Sequence, residues 1–172
     1  MCNNEQSQKG NQNQQPSARW CFVCGVENPF GLKIRFFNDG YHQVLARVTL
    51  GDAYQSYPGI AHGGILATIL DETMGRATLS TDDEPREITD ERFMFTMKLE
   101  TRYRKSVPLN KEFTVRARVD NDRGRMATAS GEIVLADGAV AVEAKATLVD
   151  IPADQIDEML AQTEAIGWQV YP

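Results

Sequence analysis

The sequence is poor in cysteine: three in 172 residues, a sparse and odd number that excludes a disulfide framework. Positive charge is also short, with 18 Lys and Arg against 24 Asp and Glu and a net charge of -6. General nucleic-acid binding is therefore not expected, because the phosphate backbone calls for a concentrated positive surface. No apolar run approaches the roughly 20 residues that span a bilayer, so no membrane partner is expected. The first 18 residues, MCNNEQSQKGNQNQQPSA, lack the apolar stretch of a secretory signal, and a cytoplasmic location follows as the expectation. Histidine occurs only twice, at His42 and His62, which leaves little for chemistry built on imidazole pairs.

What is present suits one globular domain, with 42% apolar and 24% charged residues. Residues 1–18 are nearly all polar and small, and a segment with little to bury does not offset the entropy of ordering it. A disordered tail is expected there, then a domain over 19–150 and a short helical extension over 151–172.

Hydrophobic periodicity sets the elements of the domain. Leu32, Ile34 and Phe36 alternate with Lys33, Arg35 and Phe37, and after a turn at Asn38-Asp39-Gly40 the alternation resumes at Val44, Ala46, Val48 and Leu50. From about Gly63 to Leu79 the spacing becomes helical, with Ile65, Leu66, Ile69, Leu70, Met74 and Ala77 on one broad apolar face. Four further strands follow. In the first, Phe93, Phe95, Met97, Leu99, Thr101 and Tyr103 occupy the odd positions, while Thr96, Lys98, Glu100, Arg102 and Arg104 face the other way. Asp137-Gly138 predicts a tight hairpin between the last two strands. This order predicts an α+β fold in which a curled antiparallel β-sheet wraps one long central helix.

The segment most informative about chemistry is Tyr57-Pro58-Gly59-Ile60-Ala61-His62-Gly63-Gly64, with Asp71 nine positions after the histidine. The first amides of a helix lack intrahelical acceptors and sit at its positive end, where they can stabilise a developing oxyanion. Glycines there let a carbonyl oxygen come close, although they are also used merely to allow a tight turn. A carboxylate such as Asp71 within an apolar helix costs free energy unless it is paired or used. Glu72, about 100° further round, is expected to meet a partner chain or nearby arginines instead.

His62-Gly63-Gly64-Ile65-Leu66-Ala67-Thr68-Ile69-Leu70-Asp71-Glu72-Thr73-Met74-Gly75 resembles the signature of hot-dog thioesterases of the phenylacetic-acid-degradation (PaaI-like) type. Cys21-Phe22-Val23-Cys24-Gly25 with Asn28-Pro29-Phe30-Gly31-Leu32, and Tyr103 with Val107-Pro108-Leu109, resemble other parts of such proteins. The resemblance covers about residues 20 to 150. It implies a hot-dog fold, hydrolysis of acyl-CoA thioesters, coenzyme A as part of the substrate with no separate cofactor, and a homodimer or homotetramer. It also implies Gly63 as oxyanion donor, Asp71 as general base or nucleophile, and Thr96 as a holder of the attacking water. For Thr96 an ordinary β-branched strand residue is the alternative. His62 and Gly64 are candidates for the turn or the pocket wall, and Gln55 and Ser56 for a carbonyl or water contact. Arg102 and Arg104, with Lys105, Arg123 and Arg125, are candidates for the CoA phosphates, against the ordinary reading of solvated charges.

Two geometric expectations accompany this reading. Eight residues separate Gly63 from Asp71, about 12 Å along a helix, so one carbonyl cannot touch both groups of one chain. If both act, the site is shared across a twofold axis. Cys21-x-x-Cys24 has no second pair with which to complete a zinc site and does not open a helix after a strand, so two buried thiols are expected. A hot-dog dehydratase or hydratase, and a non-catalytic module that binds acyl or aromatic ligands, are the competing functions.

Overall fold

The computed structural model describes residues 13–80, 94–152 and 155. Among the described residues six strands form one antiparallel sheet: β1 (Phe37–Asn38), β2 (Gln43–Thr49), β3 (Met94–Tyr103), β4 (Glu112–Asp122), β5 (Met126–Leu135) and β6 (Val140–Asp150). Their spatial order is β1-β2-β4-β5-β6-β3. The helix α1 (Gly63–Ala77), between β2 and β3 in chain order, lies against β4 and β5 at the middle of the sheet and also touches β2, β3 and β6. This is the expected hot-dog layout.

The helix buries Leu66, Ile69, Leu70, Thr73, Met74, Arg76 and Ala77. Facing it are Val44, Ala46 and Val48 of β2, Phe113, Val115 and Ala117 of β4, Ala127, Ala129 and Ile133 of β5, and Val142, Ala144, Ala146 and Leu148 of β6. Each fully buried Leu, Ile or Met contributes about 1.5–3 kcal/mol relative to exposure, so the helix is fixed chiefly by packing. Small residues decide how near it comes. A Cβ at Gly131 would stand 3.1 Å from Met74 Cγ and 3.2 Å from Leu70 Cδ2, so the missing side chain brings helix and sheet together. The Asp137-Gly138 turn forms as expected, with Gly138 at φ +82° and Leu135 and Ala139 hydrogen-bonded across it.

Three expectations are corrected by the structure. The segment Leu32–Phe36 keeps its alternation, burying Ile34 and Phe36, but regular pairing with β2 is confined to Phe37 and Asn38. Leu32 and Ile34 instead donate their amides to Phe22 O and Val23 O, so that the segment runs beside the entry loop. The strict odd-position pattern of β3 also fails. Thr96 pairs with Leu148 and Lys98 with Thr147, so Met97 is an extra residue, and this bulge reverses the facing of everything before it. Phe95 and Met97 are consequently 53% and 61% exposed, while Thr96 shares the facing of buried Leu148. Phe93 lies outside the described residues. Third, residues 13–18 are ordered against the domain: Gln14, Gln15 and Ser17 are buried. The Gln15 side-chain amide donates to Asn38 Oδ1 and Arg76 O, and its backbone amide to Phe36 O. Polar side chains can be buried when they are hydrogen-bonded in this way. Residues 1–12 of the expected tail and nearly all of the expected C-terminal helix lie outside the described residues. No helix among the described residues is long and apolar enough to cross a membrane.

Candidate active site

The helix begins where the chain is held from three sides. Ala61 N donates to Val107 O and His62 N to Tyr54 O, which pins the residues before the first turn. His62 is the N-cap: its backbone is extended, and its Nδ1 accepts from Gly64 N at 3.0 Å. The His62 ring thereby takes one of the amides that a helix start leaves open. Gly63 N has no hydrogen-bond acceptor among the described residues. Its carbonyl accepts from Tyr103 Oη at 2.8 Å, so the end of β3 is tied to the first residue of the helix. A Cβ on Gly63 would lie 3.4 Å from the Tyr103 ring, in ordinary contact. Tyr103 is a site residue that periodicity alone casts as core. The available signal was its polar tip on an inward-facing position at the end of a strand, where it is 49% exposed.

Two turns further along, Asp71 is half-buried and accepts a hydrogen bond from Thr96 Oγ1 at 2.7 Å. Strict alternation puts Thr96 on the polar face of its strand, in conflict with a role beside Asp71. The bulge at Met97 resolves the conflict by turning that hydroxyl toward the helix. The bond occupies Oδ1 and leaves Oδ2 without a partner among the described residues. Glu72 points elsewhere, to Arg76, with Nε–Oε1 at 2.8 Å. This agrees with the expectation of an arginine partner.

The remaining candidates are distributed around these two centres. Gln55 Oε1 accepts from Gly59 N at 2.8 Å, closing the loop that leads to the glycines, and Ser56 N pairs with Ile60 O in the same loop. Gln55 therefore shapes the approach to Gly63. Arg102 and Arg104 lie on the side of the sheet away from the helix, where Arg104 Nη2 meets Glu143 Oε2 at 2.6 Å. That ion pair raises the pKa of Arg104 and lowers that of Glu143, in each case mainly through the hydrogen bond between them. Within one chain, neither arginine joins Gly63 or Asp71. The site splits accordingly into an amide at the helix start and a carboxylate with its hydroxyl two turns on.

The family model of the thioesterase superfamily matches residues 58–142, a span that contains both centres. The matched region belongs to the thioesterase superfamily. Among solved structures, one described as a thioesterase superfamily protein is 30% identical, with a TM-score of 0.66 over 76% of this chain. This chain spans 63% of that protein's length. The smu.793 protein of Streptococcus mutans, solved with acetyl CoA bound, is 19% identical with a TM-score of 0.60, covering 69% of this chain and 88% of that one. The Escherichia coli PaaI protein of the phenylacetic acid degradation operon is 14% identical with a TM-score of 0.61, covering 70% and 81%. Those two share the fold. No curated protein gives a significant match.

Proposed function

We propose that this protein hydrolyses acyl-CoA thioesters to the free acid and coenzyme A, at a site that two copies of the chain complete. The observation that carries the reading is the 2.7 Å hydrogen bond from Thr96 to Asp71 on a helix whose first amide, at Gly63, is open. Thr96 orients the carboxylate through Oδ1, and Oδ2 takes the proton of the attacking water. The Gly63 amide, at the positive end of the helix, receives the charge that develops on the thioester oxygen. His62 and Tyr103 hold that first turn still through Gly64 N and Gly63 O.

A second copy is needed because of distance. Gly63 and Asp71 are eight residues apart on one helix, about 12 Å, so a single carbonyl reaches both only if they come from different chains. The outer edge of β3 suits this arrangement: the strand pairs with β6 on one side only among the described residues, and it carries exposed Phe95 and Met97. The acyl-CoA substrate class is supported by the fold likeness to a protein solved with acetyl CoA and to another, from Streptococcus pneumoniae, solved with coenzyme A.

The test is release of free thiol from a panel of short, long and aromatic acyl-CoAs. Thiol release that depends on Asp71 is the expected result. Hydration of enoyl-CoA without thiol release would move the protein to the hydratase class, and saturable binding without turnover would make it a ligand-binding module.

A further inference from the structure

Around Glu72, the entry loop brings together groups that thioester hydrolysis does not use. Cys21, Cys24 and Glu72 offer ligand atoms all within 4.8 Å of one another, and Arg76 lies against them. The loop is wound tightly. Gly25 N donates to Cys21 O at 2.8 Å, and a Cβ at Gly25 would fall 2.2 Å from that oxygen, so only glycine fits behind the pair. Within this turn Cys21 Sγ accepts from the amides of Val23 at 3.3 Å and Cys24 at 3.5 Å. It is half-buried, and Glu72 Oε2 stands 3.9 Å away. Cys24 is 1% exposed; its sulfur accepts from Ala18 N at 3.3 Å and Arg76 Nη2 at 3.0 Å.

These surroundings divide the two sulfurs into unlike roles. The Cys24 side chain hydrogen-bonds Cys21 and pulls its thiol down to about 7, helped by the two backbone amides and opposed by burial and the Glu72 carboxylate. The same hydrogen bond and its own burial push Cys24 up, with the nearby Arg76 cation acting in the opposite direction. A metal ion is disfavoured here, because Arg76 already occupies Glu72 and Cys24, and only three candidate ligands are present among the described residues.

We propose that Cys21 and Cys24 form a thiol–disulfide exchange site for small disulfides, Cys21 being the attacking sulfur and Cys24 the resolving one. The Cys21 thiolate attacks one sulfur of a disulfide R–S–S–R, forming Cys21–S–S–R and releasing RS⁻. Cys24 then loses its proton and attacks the Cys21 sulfur, forming the Cys21–Cys24 bond and releasing the second RS⁻. The two protons of the dithiol end on two RSH, and the protein is oxidised by the two electrons that reduce the disulfide. Arg76 stabilises the Cys24 thiolate as it forms. The site is independent of the thioesterase reading.

The probe is glutathione disulfide, applied to full-length protein carrying Cys2→Ser so that the third cysteine does not contribute. Intact mass should show the loss of two hydrogens, and peptide mapping should join Cys21 to Cys24. Adding Cys24→Ser should trap one glutathione on Cys21, while adding Cys21→Ser should abolish both products. Mapping of the protein with both cysteines present decides the matter even if either second variant fails to fold. Both thiols remaining alkylatable under conditions that oxidise a free dithiol would overturn the proposal. So would stoichiometric Zn(II), retained through gel filtration, that shields both thiols from the disulfide.

Discussion

Replacing Thr96 with valine removes one hydroxyl and keeps the β-branched shape that the strand requires. In the structure that hydroxyl has one role, a 2.7 Å hydrogen bond to Asp71 Oδ1. Hydrogen bonds to charged groups contribute about 1.5–3 kcal/mol. Thr96 is an exposed residue, so water can partly replace the lost donor and the lower end of that range applies. At about 1.4 kcal/mol per factor of ten, kcat for thiol release should fall about tenfold. KM should change by less than about threefold, because a residue that positions the base rather than holding substrate affects the chemical step. A double-mutant cycle with Asp71→Asn sharpens the assignment: if Thr96 acts through the carboxylate, Thr96→Val should cost little once Asp71 is gone. Circular dichroism would establish that both variants fold. An unchanged kcat in folded Thr96→Val, or the same tenfold loss in the Asp71→Asn background, would refute the positioning role.

Other outcomes follow from the same contacts. His62→Ala removes the side-chain cap on Gly64 N and should lower stability by about 1 kcal/mol, read as a fall in Tm of about 2–4 °C. Arg76→Met breaks a buried cation away from Glu72, Cys24, Gln15 and the Phe36 ring. Chemical denaturation should show a loss of about 3 kcal/mol, the low end for such pairs because Glu72 retains some solvent. With Cys21 drawn to about 7 by Cys24 and its amides, alkylation of that thiol should rise through about pH 7 instead of pH 9. The thiolate is the reactive form, so reactivity is lost as pH falls through that value. Mass-resolved iodoacetamide kinetics would measure it.

Much of this architecture can be read from local pattern. The helical face from Leu66 to Ala77 and the alternation in β2, β4, β5 and β6 appear in the sequence because each element buries one face against the next. Asp71 is legible for the opposite reason, as a carboxylate where apolar residues dominate. The losses occur where tertiary contacts override the pattern. One extra residue at Met97 inverts the facing of the start of β3, and alternation gives no warning of a bulge. Gln14, Gln15 and Ser17 look like tail by composition, yet amide hydrogen bonds to Asn38, Phe36 and Arg76 make their burial possible. Arg76 reads as a solvated charge at the end of a helix. It is 2% exposed because Glu72, Gln15, Pro16 O and Cys24 surround its guanidinium. The same contacts turn a CxxC spacing with no evident zinc or redox context into an asymmetric pair of thiols.

The central claim is that one active site combines the Gly63 amide of one copy with the Asp71 carboxylate of another, and mixed oligomers test it most directly. Gly63→Pro removes the amide and should lower turnover about 10²- to 10³-fold. Asp71→Asn removes the base and should lower it about 10²- to 10⁴-fold. Each variant is thus nearly inactive alone. In a randomly assorted dimer population, half of the molecules contain both variants and one of their two sites is intact. Co-refolding the two inactive proteins should therefore restore up to about a quarter of wild-type thiol release. Activity that stays at background in verified heterodimers would contradict a shared site.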